Sequence, residues 1–222
     1  MNKCYNDFNT NNDKVIFIHI PRTAGTYIER QLCKKYNCVK KWPVPNEKNL
    51  FGLYKINDDN YLTLQHLTIK EMIKYQFINK NPEDQFIFTI IRNPYDRVVS
   101  LYKNWFKRYE TLDIFLDELK KLNLDKYQHN GIVTNNKNFN YKNMTSNLSE
   151  IKYFVLPQYY YIDNNENYKV NIIKYDEIES LNEILNLNVK YIKSENKNLT
   201  EIQKNKIYNI YKIDFDQFNF ER

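Results

Sequence analysis

"KVIFIHIPRTAGTYIERQL", Lys14 to Leu32, sets an apolar run against an amphipathic one, with a glycine between them. Lys14–Ile20 is short and nearly continuous in apolar residues, the pattern of a strand buried on both faces of a parallel sheet. Thr26-Tyr27-Ile28-Glu29 then matches a capping box, Thr26 as N-cap and Glu29 reaching back, so a helix is predicted to run to about Tyr36. The chain has three glycines in 222 residues. One of them at this turn answers a need that another residue would meet at a cost. Our reading is that Gly25 lets backbone amides approach an anion, because free N–H groups and the dipole at a helix N-terminus favour negative charge. Arg22 adds fixed charge, and Thr23 and Thr26 add hydroxyls. An ordinary nucleotide-triphosphate loop carries a longer glycine frame ending in Lys-Ser/Thr, which "PRTAGT" lacks. Taken alone, the stretch also reads as a plain capped helix after a strand.

The same unit repeats outward from here. Tyr61–Leu64 reads as a strand, and Thr68-Ile69-Lys70-Glu71 as a second capping box opening a helix toward Phe77. "QFIFTII", Gln85–Ile91, is a buried strand, and Pro94 suits the first turn of a helix that carries Val98, Leu101, Tyr102 and Trp105 on one side. Asp113–Leu122 is a further helix. Asn123 to Glu150 is polar and asparagine-rich, a long loop or insertion. "YKVNIIKY" is a strand, Asp176–Leu185 a helix, and a last helix spans about Leu199 to Tyr211. Strands alternating with helices predict an α/β fold with a mostly parallel central sheet. A polar tail, 1–13, would precede a single domain, 14–222.

Composition narrows the class. Hydrophobic residues at 42% and aromatics at 16% are those of a folded chain. The net charge of +6 suits an anionic ligand but is scattered, and no basic run marks a nucleic-acid arm. Cys4, Cys33 and Cys38 are odd in number and lack metal-ligand partners, so neither a disulfide framework nor a metal site is expected. No signal-like segment and no run of about 18 apolar residues is present, so a soluble, cytoplasmic protein is expected. The oligomeric state is not readable.

The second motif is "FTIIRNPYDRVVSLY". A strand ends at Arg92, and Ser100 lies two turns into the following helix. Arg92 can grip a phosphate with two nitrogens, and Ser100 can add a hydroxyl if the helix packs beside it. Together the two motifs resemble those of the sulfotransferase superfamily that uses 3′-phosphoadenosine 5′-phosphosulfate (PAPS), closest to the branch with heparan-type 2-O-sulfotransferases. "FIHIPRTAGTYIE" is similar to that family's 5′-phosphosulfate loop and "IRNPYDRVVSLY" to its 3′-phosphate motif. "LQHLTIKEM" resembles the segment bearing its catalytic histidine. "LPQYYYID", "VNIIKYDEIESLNEIL" and "IYNIYKIDFDQFNF" resemble later landmarks in the expected order, and the likeness is weakest over 123–150.

The resemblance implies a three-layer fold of P-loop type and a sulfuryl transfer from PAPS to an acceptor hydroxyl on a carbohydrate, with adenosine 3′,5′-bisphosphate as product and no metal. It implies that Arg22, Thr23, Ala24, Gly25, Thr26 and Tyr27 hold the 5′-phosphosulfate, and that Arg92 and Ser100 hold the 3′-phosphate. Lys197, in "SENKN", would belong to a late loop over the nucleotide. Arg22 stands where the family usually has a lysine that neutralises the departing oxygen, so Arg22 is a catalytic candidate with an altered geometry. His66 is the candidate base, since an imidazole with a pKa of about 6.5 takes a proton at neutral pH. His19 lies within the first strand and reads as a satisfied buried residue, and His129 receives no role. "QYYY", Gln158–Tyr161, suits either an acceptor groove or the core, and Lys103, Lys107 and Arg108 a solvated helix face. Two alternatives stand beside this reading: a catalytically weak PAPS-binding protein on the same fold, and a P-loop kinase using ATP.

Overall fold

Thr89 is the one polar side chain in the apolar stretch of "QFIFTII", and it shows where that strand lies. It is fully buried, and its Oγ1 donates to the carbonyl of Ile18 at 2.8 Å. The computed structural model describes residues 14–36, 53–55, 61–63, 65–75, 78, 85–124, 133–134, 152–163, 168–193 and 198–222. The expected tail, 1–13, lies outside them.

Strand β1 (Lys14–Ile18) leads through a turn into helix α1 (Gly25–Lys35). Strands β2 (Leu53–Lys55) and β3 (Tyr61–Thr63) follow, then helix α2 (Ile69–Lys74). Strand β4 (Gln85–Ile91) feeds helix α3 (Pro94–Trp105), and helix α4 (Leu112–Lys121) comes next. Beyond strand β5 (Val133–Thr134) lie the short helices α5 (Lys152–Val155) and α6 (Tyr159–Ile162). Strand β6 (Val170–Lys174) passes into a 3₁₀ helix, Tyr175–Ser180, and helix α7 (Leu181–Ile184). Helices α8 (Glu201–Ile210) and α9 (Lys212–Phe218) close the chain.

The central sheet has three strands in the order β1-β4-β6, all parallel, with Ile18 opposite Thr89 and Ile91 opposite Lys174. β4 is the middle strand, which explains a run buried from Ile87 to Ile91. Helices flank the sheet, and the α/β reading holds. Three expectations change. The strand at 61–64 is present as β3 but pairs antiparallel with β2 and β5 in a second sheet. Two described residues of the 123–150 insertion, Val133 and Thr134, supply β5. The helix expected at 176–185 is a 3₁₀ turn followed by one short α-helical segment.

Two local signals are obeyed. Thr68 and Glu71 form both halves of the capping box. Pro94 takes the first position of α3, with Asn93 Oδ1 accepting from the amide of Tyr95. At α1 the same T-x-x-E pattern fails: the helix begins at Gly25, its N-cap is Ala24 in a left-handed conformation, and no side chain caps it. Glu29 points instead to His19, whose Nδ1 lies 2.6 Å from its Oε1.

A buried polar pillar ties the sheet's edge to the end of the chain. Arg97, 1% exposed, donates to the carbonyls of Pro21 (2.9 Å), Leu156 (2.9 Å) and Phe154 (3.2 Å). Asp214, fully buried on α9, accepts from the amides of Gln158 and Tyr159 at 2.9 Å each. Burial holds its carboxyl above the ordinary carboxylate range, against the opposing pull of Arg97 and of those bonds. Gln158 in turn accepts from the amide of Arg92 and donates to its carbonyl, both at 2.8 Å. Among the described residues no helix is long and apolar enough to cross a membrane.

Removing the pillar strands three buried carbonyls and takes from Asp214 the one cation that acts on it among the described residues. Arg97→Leu is expected to destabilise the fold by roughly 3–5 kcal/mol, read as a lowered urea midpoint. Lys121→Ala, on an exposed helix face, should leave the midpoint unchanged.

Candidate active site

Because β1 and β4 are parallel neighbours, the residues that follow them emerge at the same edge of the sheet. That edge is where open α/β sheets bind ligands. The residue directly after each strand turns into one cavity: His19 after β1, Arg92 after β4 and Tyr175 after β6. The cavity measures about 320 Å³, within the range of small-molecule sites. The turn and head of α1 complete it with Arg22, Ala24, Gly25, Thr26, Tyr27 and Arg30.

The turn from Pro21 to Ala24 is strained. Arg22 has φ 69° and Ala24 φ 70°, conformations that non-glycine residues adopt at a cost of roughly 1–3 kcal/mol each. Three contacts hold it there. Thr23 is fully buried and donates its hydroxyl to the carbonyl of Ile20 at 2.9 Å. Arg97 takes the carbonyl of Pro21, and Arg92 Nη1 donates to that of Arg22 at 3.2 Å. Thr23 therefore shapes the loop from inside, while its neighbours face the cavity.

Gly25 has a nearer reason than ligand approach. A β-carbon there would stand 1.9 Å from Cδ2 and 2.2 Å from Nε2 of His19. The missing side chain is the space in which the His19 ring lies. His66, 4% exposed with φ 68°, packs its ring edge-on to that of His19 at 4.3 Å. Its Nδ1 is 2.8 Å from the carbonyl of His19. A carbonyl only accepts, so Nδ1 carries a proton.

The electrostatics are one-sided. Arg22 directs Nε and Nη2 to the Oγ of Ser100 at 3.0 and 2.9 Å. Arg92 lies 4.7 Å over the ring of Tyr175, and its Nε is buried without a hydrogen-bond partner. Among the described residues neither arginine forms an ion pair with a carboxylate. Burial pushes the Arg22 guanidinium below its ordinary value, and the like charge of Arg92 adds to the effect. Burial does the same to Arg92, opposed by Tyr175, Asp96 and Tyr191. Arginine side chains stay charged at neutral pH in proteins. Positive charge gathered at a sheet edge, with an orphan donor among it, fits an anion.

The structure thus brings Arg22, Ala24, Gly25, Thr26, Tyr27 and Arg92 to one cavity, with Ser100 bonded to Arg22 and His66 directly behind His19. The Tyr27 hydroxyl accepts from the amide of Lys190 at 3.0 Å. Lys197 lies outside the described residues. The tyrosines of "QYYY" divide: Tyr161 is core, with its hydroxyl on the carbonyl of Tyr153, while Tyr159 and Tyr160 are half-buried. Sequence reasoning missed Arg30 and Tyr175. Arg30 sits four residues after Thr26, on the same helix face. Tyr175 occupies the strand-end position already suspected for Arg92.

No curated protein and no solved structure matches the chain. The model of the Sulfotransferase family matches residues 7–221, a span that holds both strand-end motifs and His66. The chain belongs to the sulfotransferase family, in its family 2 branch.

Proposed function

We propose that this sulfotransferase takes its sulfuryl group from PAPS and delivers it to an acceptor hydroxyl on a carbohydrate. The observation that carries the reading is the pair Arg22 and Arg92: two cations without carboxylate partners among the described residues, at the ends of adjacent strands. A donor with anionic groups at two positions of one adenosine is what such a pair fits. The buried, unpartnered Nε of Arg92 is the atom that such a ligand would satisfy.

In this reading Arg92 and Ser100 hold the 3′-phosphate. Ser100 already accepts two N–H groups from Arg22, so its own hydroxyl proton is the one left to give. Arg22 and the backbone from Thr23 to Tyr27 hold the 5′ side. PAPS, when bound, supplies the sulfuryl group. The work of the chain is positioning and charge neutralisation around it. His66, with Nδ1–H held by the carbonyl of His19, takes the acceptor's proton on Nε2. The carbohydrate acceptor rests on the likeness of the motifs to the heparan-type branch.

A second reading, a protein that binds the donor and turns it over slowly, has one observation in its favour. Two of the five N–H groups of Arg22, one on Nε and one on Nη2, are engaged by Ser100, where a lysine would offer a single mobile nitrogen.

Calorimetry separates a 3′-phosphate reader from a kinase. Adenosine 3′,5′-bisphosphate should bind at least about tenfold tighter than ATP. Arg92→Ala should weaken the bisphosphate by about 10- to 100-fold, the worth of a charged hydrogen bond. Equal affinity for the two nucleotides would overturn the donor assignment. For the chemistry, labelled PAPS is followed against a glycan panel. His66→Ala is expected to slow transfer by about 10²–10⁴-fold, and undiminished turnover would remove His66 as the base.

A further inference from the structure

We propose that Gln158 and Asp214 are positioning residues for nucleotide recognition: Asp214 on α9 sets the Gln158 amide, which holds Arg92 where it reads the donor's 3′-phosphate. The inference rests on the reading that Arg92 takes that phosphate. Neither Gln158 nor Asp214 lines the cavity, so each acts through Arg92.

Arg92 stands just past the end of a strand. The β4–β6 ladder finishes with Ile91 opposite Lys174, one residue earlier. Beyond that point the Gln158 side chain takes the place of a neighbouring strand. Its Oε1 accepts from the amide of Arg92 and its Nε2 donates to the carbonyl, both at 2.8 Å. Both backbone polar groups of one residue are thus tied to one fully buried side chain. The Arg92 backbone cannot shift without losing two hydrogen bonds. Its guanidinium has Nη1 on the carbonyl of Arg22 and lies over Tyr175, with Nε buried and without a partner among the described residues. A small displacement of the backbone would carry that donor away from the anion it is to meet.

Gln158 is held in turn from α9. Asp214 Oδ2 accepts from its backbone amide at 2.9 Å and from its Nε2 at 3.3 Å. Oδ1 accepts from the amide of Tyr159 at 2.9 Å. The carboxylate therefore meets both the main chain and the side chain of Gln158, which fixes the direction of the amide. Two N–H groups point to the Arg92 carbonyl and to Asp214, leaving the oxygen for the Arg92 amide. The position is chemically restrictive. A glutamate would accept from Arg92, yet it would bring no hydrogen to the carbonyl and would set a second carboxylate against Asp214. A separate contact, Tyr95 against Phe215 at 5.0 Å, joins α9 to the first turn of α3, so the helix is docked beside Arg92 from two directions.

Calorimetry on the full chain reads the effect as a ratio of affinities. Wild type should bind adenosine 3′,5′-bisphosphate at least about tenfold tighter than adenosine 5′-monophosphate, which lacks the 3′ group. Gln158→Met, similar in volume and apolar, should weaken the bisphosphate by about tenfold and leave the monophosphate within about twofold. Asp214→Asn should act in the same direction, and the double variant no more strongly than the stronger single one, because both work through one amide. A loss of stability alone would weaken both nucleotides alike. The wild-type ratio retained by Gln158→Met would overturn the inference and leave the donor reading standing. A wild type that does not distinguish the two nucleotides would overturn both. Should neither variant fold, nuclear magnetic resonance of the wild type decides. The side-chain amide signals of Gln158 should move further with the bisphosphate than with the monophosphate, and an equal response to the two would overturn the inference.

Discussion

Arg92 donates to the backbone carbonyl of Arg22, so two guanidinium groups stand together at one edge of the sheet with no carboxylate paired to either among the described residues. Like charges in a half-buried site repel, and burial alone already disfavours each. The arrangement survives because its neighbours fix both groups by other means. Ser100 takes the fork of Arg22, the face of Tyr175 covers Arg92, and Gln158 grips the Arg92 backbone through both its donor and its acceptor. Stability is given up at the cavity and recovered in the layer beneath it, as expected of a functional site.

That layer is polar, buried and continuous. Arg97 holds three carbonyls from two separate segments, and Asp214 holds the amides that begin α6. A network of this kind is worth having only when every member is satisfied, since a half-paired buried charge destabilises more than an apolar core would. It links residues far apart in sequence, from Pro21 to Asp214, so the conformation of the turn after β1 depends on the docking of α9. This accounts for the position of a fully buried carboxylate so near the end of the chain.

The two T-x-x-E segments show how much the sequence could reveal. Thr68–Glu71 forms a capping box, whereas Thr26–Glu29 does not, because His19 is buried beside Glu29 and takes its carboxylate. Local chemistry was the same in both, and only the fold distinguishes them. The same division runs through the site. That Arg22, Gly25 and Arg92 would lie together at the strand ends was legible because each sits in a short motif of strand, turn and helix. "QFIFTII" was legible because a middle strand buries both faces. Arg30, Tyr175, Gln158, Arg97 and Asp214 were not, since their roles arise from which strand ends are neighbours, and spacing along the chain does not carry that. Tyr175 was the nearest to being read: once three parallel strands are granted, the residue after each becomes a candidate.

Arginine in place of lysine at position 22 has a consequence of the same structural kind. A lysine would bring one mobile ammonium, free to turn away from Arg92. The guanidinium is planar and rigid, and it meets Ser100 with two nitrogens at 3.0 and 2.9 Å. One hydroxyl therefore anchors the cation of the first strand-end turn to the helix that follows the second. The two anion-facing elements are thereby fixed relative to each other before any ligand arrives. A ligand entering such a site spends less on ordering side chains. In the proposed transfer, a ligand also competes with Ser100 for Nε and Nη2 of Arg22.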